Sequence, residues 1–129
     1  MPSQLRLHRI ADRIREELSE MIIKEVRDPR VTMITITDVK VDRELAFADI
    51  FISAPEGSQR SQEVLEGFQS AAGFLRHNLA ERIDLRVFPK LRFHWDPTHE
   101  RADHIEKLLA SIHKEDEQRK PQEPGSNEL

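Results

Sequence analysis

The sequence predicts an α+β fold: a mixed three-stranded sheet covered by helices on one face. Two observations lead there. Apolar residues recur at helical spacing over 4–26 and again over 64–79, and β-rich runs follow each stretch, at 31–41, 45–52 and 91–95. The connection between the second and third runs is long enough for a crossover, so one strand pair is expected to be parallel.

The first helix is carried by Leu7, Ile10, Ala11, Ile14, Leu18, Met21 and Ile22, and is predicted over Gln4 to Val26. Glu20 and Lys24 stand four apart on its outer face in the favourable order. Asp28-Pro29 ends it, because the residue before proline is pushed out of the α region. A first strand is expected from Val31 to Val41, then a polar break at Asp42-Arg43-Glu44, then a second strand over Leu45 to Ile52; together they read as an antiparallel hairpin. Ala46, Ala48, Ile50 and Ile52 share one face, a pattern suited to a helix crossing the sheet.

After the loop from Ala54 to Ser58, a second helical pattern runs through Val64, Leu65, Phe68, Ala72, Leu75 and Leu79. It holds Gly67 and Gly73, each costing roughly 1 kcal/mol against alanine inside a helix. Gly73 sits in the small-residue run Ser70-Ala71-Ala72-Gly73, which predicts a kink or a close backbone approach. Beyond Pro89, Leu91, Phe93 and Trp95 alternate with Arg92 and His94 as a third strand. A last helix starts at Asp96-Pro97-Thr98 and carries Ala102, Ile105, Leu108, Leu109 and Ile112. The charged stretch 115–129 reads as a disordered tail to a domain spanning 1–114.

A chain of 129 residues suits one core. Residues 1–95 carry 15 acidic and 15 basic side chains, whereas 96–129 carry 9 against 5, so the net charge of −4 lies wholly at the C-terminal end. The neutral body remains free to gather its arginines on one face. The lack of cysteine excludes disulfides, thiolate nucleophiles and Cys-based metal sites. Residues 1–11 do not form a signal peptide, and no run approaches the roughly 18 apolar residues of a membrane span, so a cytoplasmic setting is expected. The six histidines lack the i, i+4 spacing of a helical metal pair, and no phosphate loop or nucleophile elbow is present. No enzyme, cofactor, metal or small-molecule substrate is expected.

The element order resembles the type II KH architecture, α-β-β-α-kink-α-β-α, an RNA-binding fold with a GXXG loop between two helices. This chain has no GXXG; Ala71-Ala72-Gly73 followed by Phe74-Leu75-Arg76 stands there instead. That replacement resembles the ribosome-binding factor A family, whose KH-like domain carries a kinked Ala-X-Gly. Glu25-Val26-Arg27-Asp28-Pro29-Arg30, Thr35-Ile36-Thr37-Asp38-Val39, Ala48-Asp49-Ile50-Phe51-Ile52-Ser53 and Arg86-Val87-Phe88-Pro89-Lys90-Leu91-Arg92-Phe93 are also similar to family segments. The resemblance spans Leu7 to Ile112, and Met33 stands near where many relatives have glycine. It implies a non-catalytic factor that binds the free small ribosomal subunit and its ribosomal RNA late in maturation, near the decoding region and above all in the cold. The alternative is a protein-interaction module on the same scaffold. Nothing in the sequence demands a dimer, so a monomer is expected.

The expected RNA site begins at the kink, where freed backbone N–H groups and the helix dipole would favour a phosphate. Ala71, Ala72 and Gly73 are small enough to admit RNA, with Arg76 one turn on and His77 beside it. The bland competing reading is that small residues merely let the helix pack closely. Arg6, Arg9 and Arg13 form a stripe on the first helix, and Arg27 and Arg30 at its exit extend the basic set; such a stripe is more often a solvated face. Lys90 and Arg92, with His94, flank the third strand as weaker candidates. Phe47, Phe51, Phe93 and Trp95 are candidate base-stacking platforms. The core reading is favoured: Leu91, Phe93 and Trp95 share the inner face of a strand, and with only 5% aromatic residues the core needs most of them.

Overall fold

In the computed structural model, which describes residues 3–119, the first helix (α1) spans Gln4–Lys24. Ser3 caps it, its Oγ accepting from the Arg6 N–H at 3.1 Å. All seven apolar residues expected on its inner face are buried. Asp28 then caps a 3-10 turn, Pro29–Val31, by accepting from the Arg30 N–H at 2.9 Å.

That turn corrects the expected start of the first strand. Val31 is only 1% exposed and packs in the core from the turn, and the strand β1 covers Thr35–Val41. The physical reason is local: Pro29 fixes its φ, the Asp28 carboxylate captures the next free N–H, and Met33 at φ 58° redirects the chain.

Strand β2, Phe47–Ser53, pairs antiparallel with β1, and β3, Lys90–Trp95, pairs parallel with β2, giving the order β1-β2-β3. The sheet is mixed, as expected. The hairpin turn is closed by Asp42, whose Oδ1 accepts from the N–H groups of Ala46 at 2.7 Å and Phe47 at 3.1 Å. Leu45 takes φ 56° within it.

The second helix, α2, spans Ser61–Arg82 without interruption. The second helix piece expected after Ala71-Ala72-Gly73 does not form, and these residues lie within one continuous helix. A helix glycine costs roughly 1 kcal/mol, too little to break a helix anchored by buried Val64, Phe68, Leu75 and Leu79. Gly67, rather than Gly73, is where the backbone is closely approached: a Cβ there would meet Val31 Cγ1 at 2.8 Å, while one on Gly73 would meet nothing within 4 Å.

The inner face of the sheet presents Ile36, Val39, Ala48, Ile50 and Ile52, which join the buried residues of α1 and α2 in one core. Leu91, Phe93 and Trp95 pack against it from β3, and Phe93 stacks on Phe68 with ring centroids 4.9 Å apart.

The chain divides after Pro97 into two compact units. The second contains the helix α3, Thr98–Arg119, on which Ile105, Leu108, Leu109 and Ile112 recur at i, i+3, i+4 and i+7. Of the tail expected from 115, residues 120–129 lie outside the described residues.

Candidate nucleic-acid interface

The strand registers place a charged and aromatic cluster on the outer face of the sheet. Parallel pairing sets Lys90 beside Phe47, Arg92 beside Asp49 and His94 beside Phe51, and antiparallel pairing sets Lys40 beside Asp49. Since alternate residues share a face, all seven project from the side opposite α1 and α2. None is buried.

Asp49 organises this cluster. Its carboxylate accepts from Arg92 Nε at 2.8 Å and Nη2 at 3.0 Å, and its Oδ1 lies 2.7 Å from His94 Nε2. The Arg92 guanidinium lies 4.0 Å over the Phe47 ring. His94 stacks on Phe51 with centroids 5.1 Å apart and planes 28° apart, and the Lys40 ammonium stands 5.4 Å from the Phe51 centroid. Hydrogen bonding from Arg92, and then from His94, holds the Asp49 carboxyl below its ordinary value of 3.8 although partial burial opposes this.

Phe47 and Phe51, expected in the core, are instead partly exposed on the outer face, a correction that the pattern itself contains. They have the opposite parity to Ala48, Ile50 and Ile52, so a core-facing set on one side commits the phenylalanines to the other. Phe93 and Trp95 do face inward, as expected.

The helical candidates are arranged differently. With α2 unbroken, residues 71–76 lie inside the helix and offer no helix start to an anion. Gly73 is exposed, and Ala71 packs partly against the core. Arg76 points to the protein's own backbone, donating from Nη2 to the Phe88 carbonyl at 2.7 Å and from Nε to the Pro89 carbonyl at 3.2 Å. His77 stands 3.2 Å from Glu81 on the exposed side.

On α1, Arg6, Arg9 and Arg13 are exposed as a stripe. Arg13 is tied to Glu17 at 3.2 Å, and Glu17 also pairs with Arg82 at 3.5 Å; Arg82 in turn pairs with Glu25. Arg6 borders a surface cleft with Leu45, Leu85, Arg86 and Val87. At the exit of α1, Arg27 is exposed, whereas Arg30 is held in a two-nitrogen clasp on Asp28, with Nη2 at 2.7 Å. The structure therefore joins Lys90 and Arg92 to an aromatic cluster and leaves Arg6 and Arg9 exposed, while Arg30 and Arg76 are engaged locally. Among the described residues no group of three or more His, Cys, Asp or Glu is placed to hold a metal ion.

Comparison with known proteins gives one consistent result. The family model for ribosome-binding factor A matches residues 6–109. The ribosome-binding factor A of Alcanivorax borkumensis is 41% identical over 126 residues, covering 95% of this chain and 92% of that protein. The crystal structure of ribosome-binding factor A from Thermus thermophilus superposes with a TM-score of 0.61 at 22% identity, covering 68% of this chain and 93% of that one. A Thermus thermophilus homology model fitted into a cryo-EM map of a complex of that factor with the 30S subunit is also similar. Its TM-score is 0.58 at 22% identity, over 71% of this chain and 96% of that one.

Proposed function

Because the chain belongs to the ribosome-binding factor A family, we propose that it binds the free small ribosomal subunit and its ribosomal RNA late in assembly. In this reading it assists rRNA processing, matters most in the cold, and acts as a cytoplasmic monomer without catalysing a reaction. The observation that carries the reading is the family match across residues 6–109. The relative fitted into a 30S complex supports the choice of subunit. No helix among the described residues is long and apolar enough to cross a membrane, which accords with a factor that works on ribosomal particles.

Exposed Arg6 and Arg9, together with Lys90, are the cations this reading assigns to RNA phosphates. Arg76 and Arg30 serve it indirectly, by holding the loop before β3 and the turn before β1.

The experiment is co-sedimentation of the protein with small subunits, large subunits and assembled ribosomes across a salt series. Selective binding to small subunits that weakens steeply with salt is expected, since each phosphate contact releases counterions. Replacing Arg6 and Arg9 together by glutamine should flatten the logarithmic salt slope by about one to two. Absence of binding to any ribosomal particle overturns the reading.

A second reading, a protein-interaction module, is favoured by one observation. Ile23 is 82% exposed and Met33 76%, and both line a groove with Val26, Ile34 and Pro55. Salt-insensitive binding to an isolated ribosomal protein would distinguish it.

A further inference from the structure

We propose that the outer face of the sheet is a stacking platform for two unpaired bases of a single-stranded RNA segment, with Arg92 and His94 as the stacking groups. The proposal rests on the RNA-binding reading above and gives it a site and a ligand class.

Two planar side chains are held in place on this face before any ligand arrives. Each has a phenylalanine against it: the Phe47 centroid lies 4.0 Å from the Arg92 guanidinium carbon, and Phe51 stacks on the His94 ring. Each is tethered at its edge to the same carboxylate, Asp49. Yet the Arg92 side chain remains 49% exposed and that of His94 43%. Phe51 covers one side of the His94 ring and Phe47 lies against the Arg92 guanidinium, so part of each polar plane stays accessible to a ligand. A guanidinium or imidazole plane with its outer side open is the surface on which an unpaired base stacks. Because the tether has already fixed both groups, binding a base freezes little additional side-chain motion.

Spacing and charge favour a single strand. Arg92 and His94 are two residues apart on β3, about 6.6 Å along the strand, roughly twice the 3.4 Å rise between stacked bases. Two neighbouring bases therefore reach both planes only when unstacked from each other, which a duplex does not allow. The Asp49 charge is used within the cluster by Arg92. Lys40 and Lys90 are exposed on the flanking strands and supply the positive rim a phosphate backbone requires, opposed by Asp38 in the middle of β1 beside Phe51 and by Asp42, whose charge reaches Arg92.

The test uses the full chain and a single-stranded uridine octaribonucleotide, whose bases stack little on one another, carrying one 2-aminopurine whose fluorescence falls on stacking. Small-subunit co-sedimentation is run on the same preparations, and circular dichroism confirms that each variant is folded. The wild type is expected to bind and quench the strand, and the same strand annealed to its complement is expected to give no quenching. Arg92→Lys, which keeps the charge and removes the plane, and His94→Ala should each weaken binding by about tenfold. Unchanged affinity in both variants, or binding without quenching, overturns the platform. So does failure to bind the strand, and if small subunits still co-sediment, the ribosomal reading survives without it. Loss of co-sedimentation in Arg92→Lys with no strand binding by the wild type assigns the face to a ribosomal protein and also overturns the proposal. Strand binding with quenching but no small-subunit binding keeps the platform and removes the ribosomal reading.

Discussion

Gly67 on α2 lies so close to Val31 that a methyl group on the glycine would stand 2.8 Å from Val31 Cγ1, and 3.0 Å from Arg30 Cβ. Val31 is buried at the core end of its turn and has little room to retreat. Gly67→Ala should therefore lose about 1–3 kcal/mol to overpacking, offset in part by about 1 kcal/mol of helix propensity. Gly73→Ala, facing open space on the same helix, should gain up to about 1 kcal/mol. Urea melts of the two variants are expected to move in opposite directions; a parallel shift would mean that α2 does not rest on the turn through Gly67.

Arg76 ties the middle of α2 to the loop entering β3. Its two donated hydrogen bonds satisfy the carbonyls of Phe88 and Pro89, both buried residues. Arg76→Ala should cost about 1–3 kcal/mol, the range for leaving buried acceptors unpaired. Arg76→Lys should recover only part, because one ammonium does not reproduce the planar two-nitrogen fork. Thermal melts check the stability loss, and amide hydrogen exchange at Phe88 and Lys90 should accelerate in both variants.

Met33 and Leu45 both hold left-handed backbone, at φ 58° and 56°. For a non-glycine residue this conformation costs roughly 1–2 kcal/mol, against roughly 0.5–1 kcal/mol of added unfolded-chain entropy for glycine. Met33 is 76% exposed, so Met33→Gly should gain about 0.5–1 kcal/mol and raise Tm by a few degrees. Leu45 also packs against the core, so Leu45→Gly should lose stability despite the same relief. Differential scanning calorimetry of the pair separates backbone strain from side-chain packing.

The fold is legible in the sequence where period and burial agree. The seven buried residues of α1 are readable because a single apolar stripe has one sheet to meet. The parallel pairing of β3 follows from the length of the connection alone. Val31 misleads because β-branched residues mark a buried extended site as readily as a strand; the Asp28 cap and Met33 turn decide between them only in three dimensions.

The candidate site is less legible, for two reasons. Small residues in a helix look alike whether they admit a ligand, a neighbour or nothing, so the small-residue run draws weight to Gly73 although Val31 packs on Gly67. Charge partners far apart in sequence are also invisible: Asp49 finds Arg92 and His94 more than forty residues away. Lys90 and Arg92 stand out in the sequence as basic flanks, without the phenylalanines that give Arg92 its plane. Arg76 draws attention as a cation, whereas the carbonyls it serves appear only once α2 lies beside β3.

The Asp49 carboxylate makes the outer-face cluster acid-sensitive in a predictable sense. Its folded value lies below the ordinary 3.8 because Arg92, first, and His94 stabilise the ionised form. A carboxyl depressed by folding contributes stability that is fully present above its unfolded value and lost as pH falls through its folded value. At pH 7 Asp49→Asn should thus be less stable than the wild type by about 1 kcal/mol, the scale of a partly exposed two-nitrogen ion pair. The difference should persist down to about pH 4 and shrink below it, as the wild-type carboxyl takes up a proton and comes to resemble the amide. Asp28, also held low by Arg30, acts equally in both proteins and cancels in the comparison. Urea melts of the two proteins between about pH 2.5 and pH 7, chosen to span about one unit or more beyond the ordinary value, read this directly. A gap that stays constant across the range would show that the Asp49→Asn variant fails through geometry rather than charge, and that the Arg92 guanidinium is kept on Phe47 by packing alone.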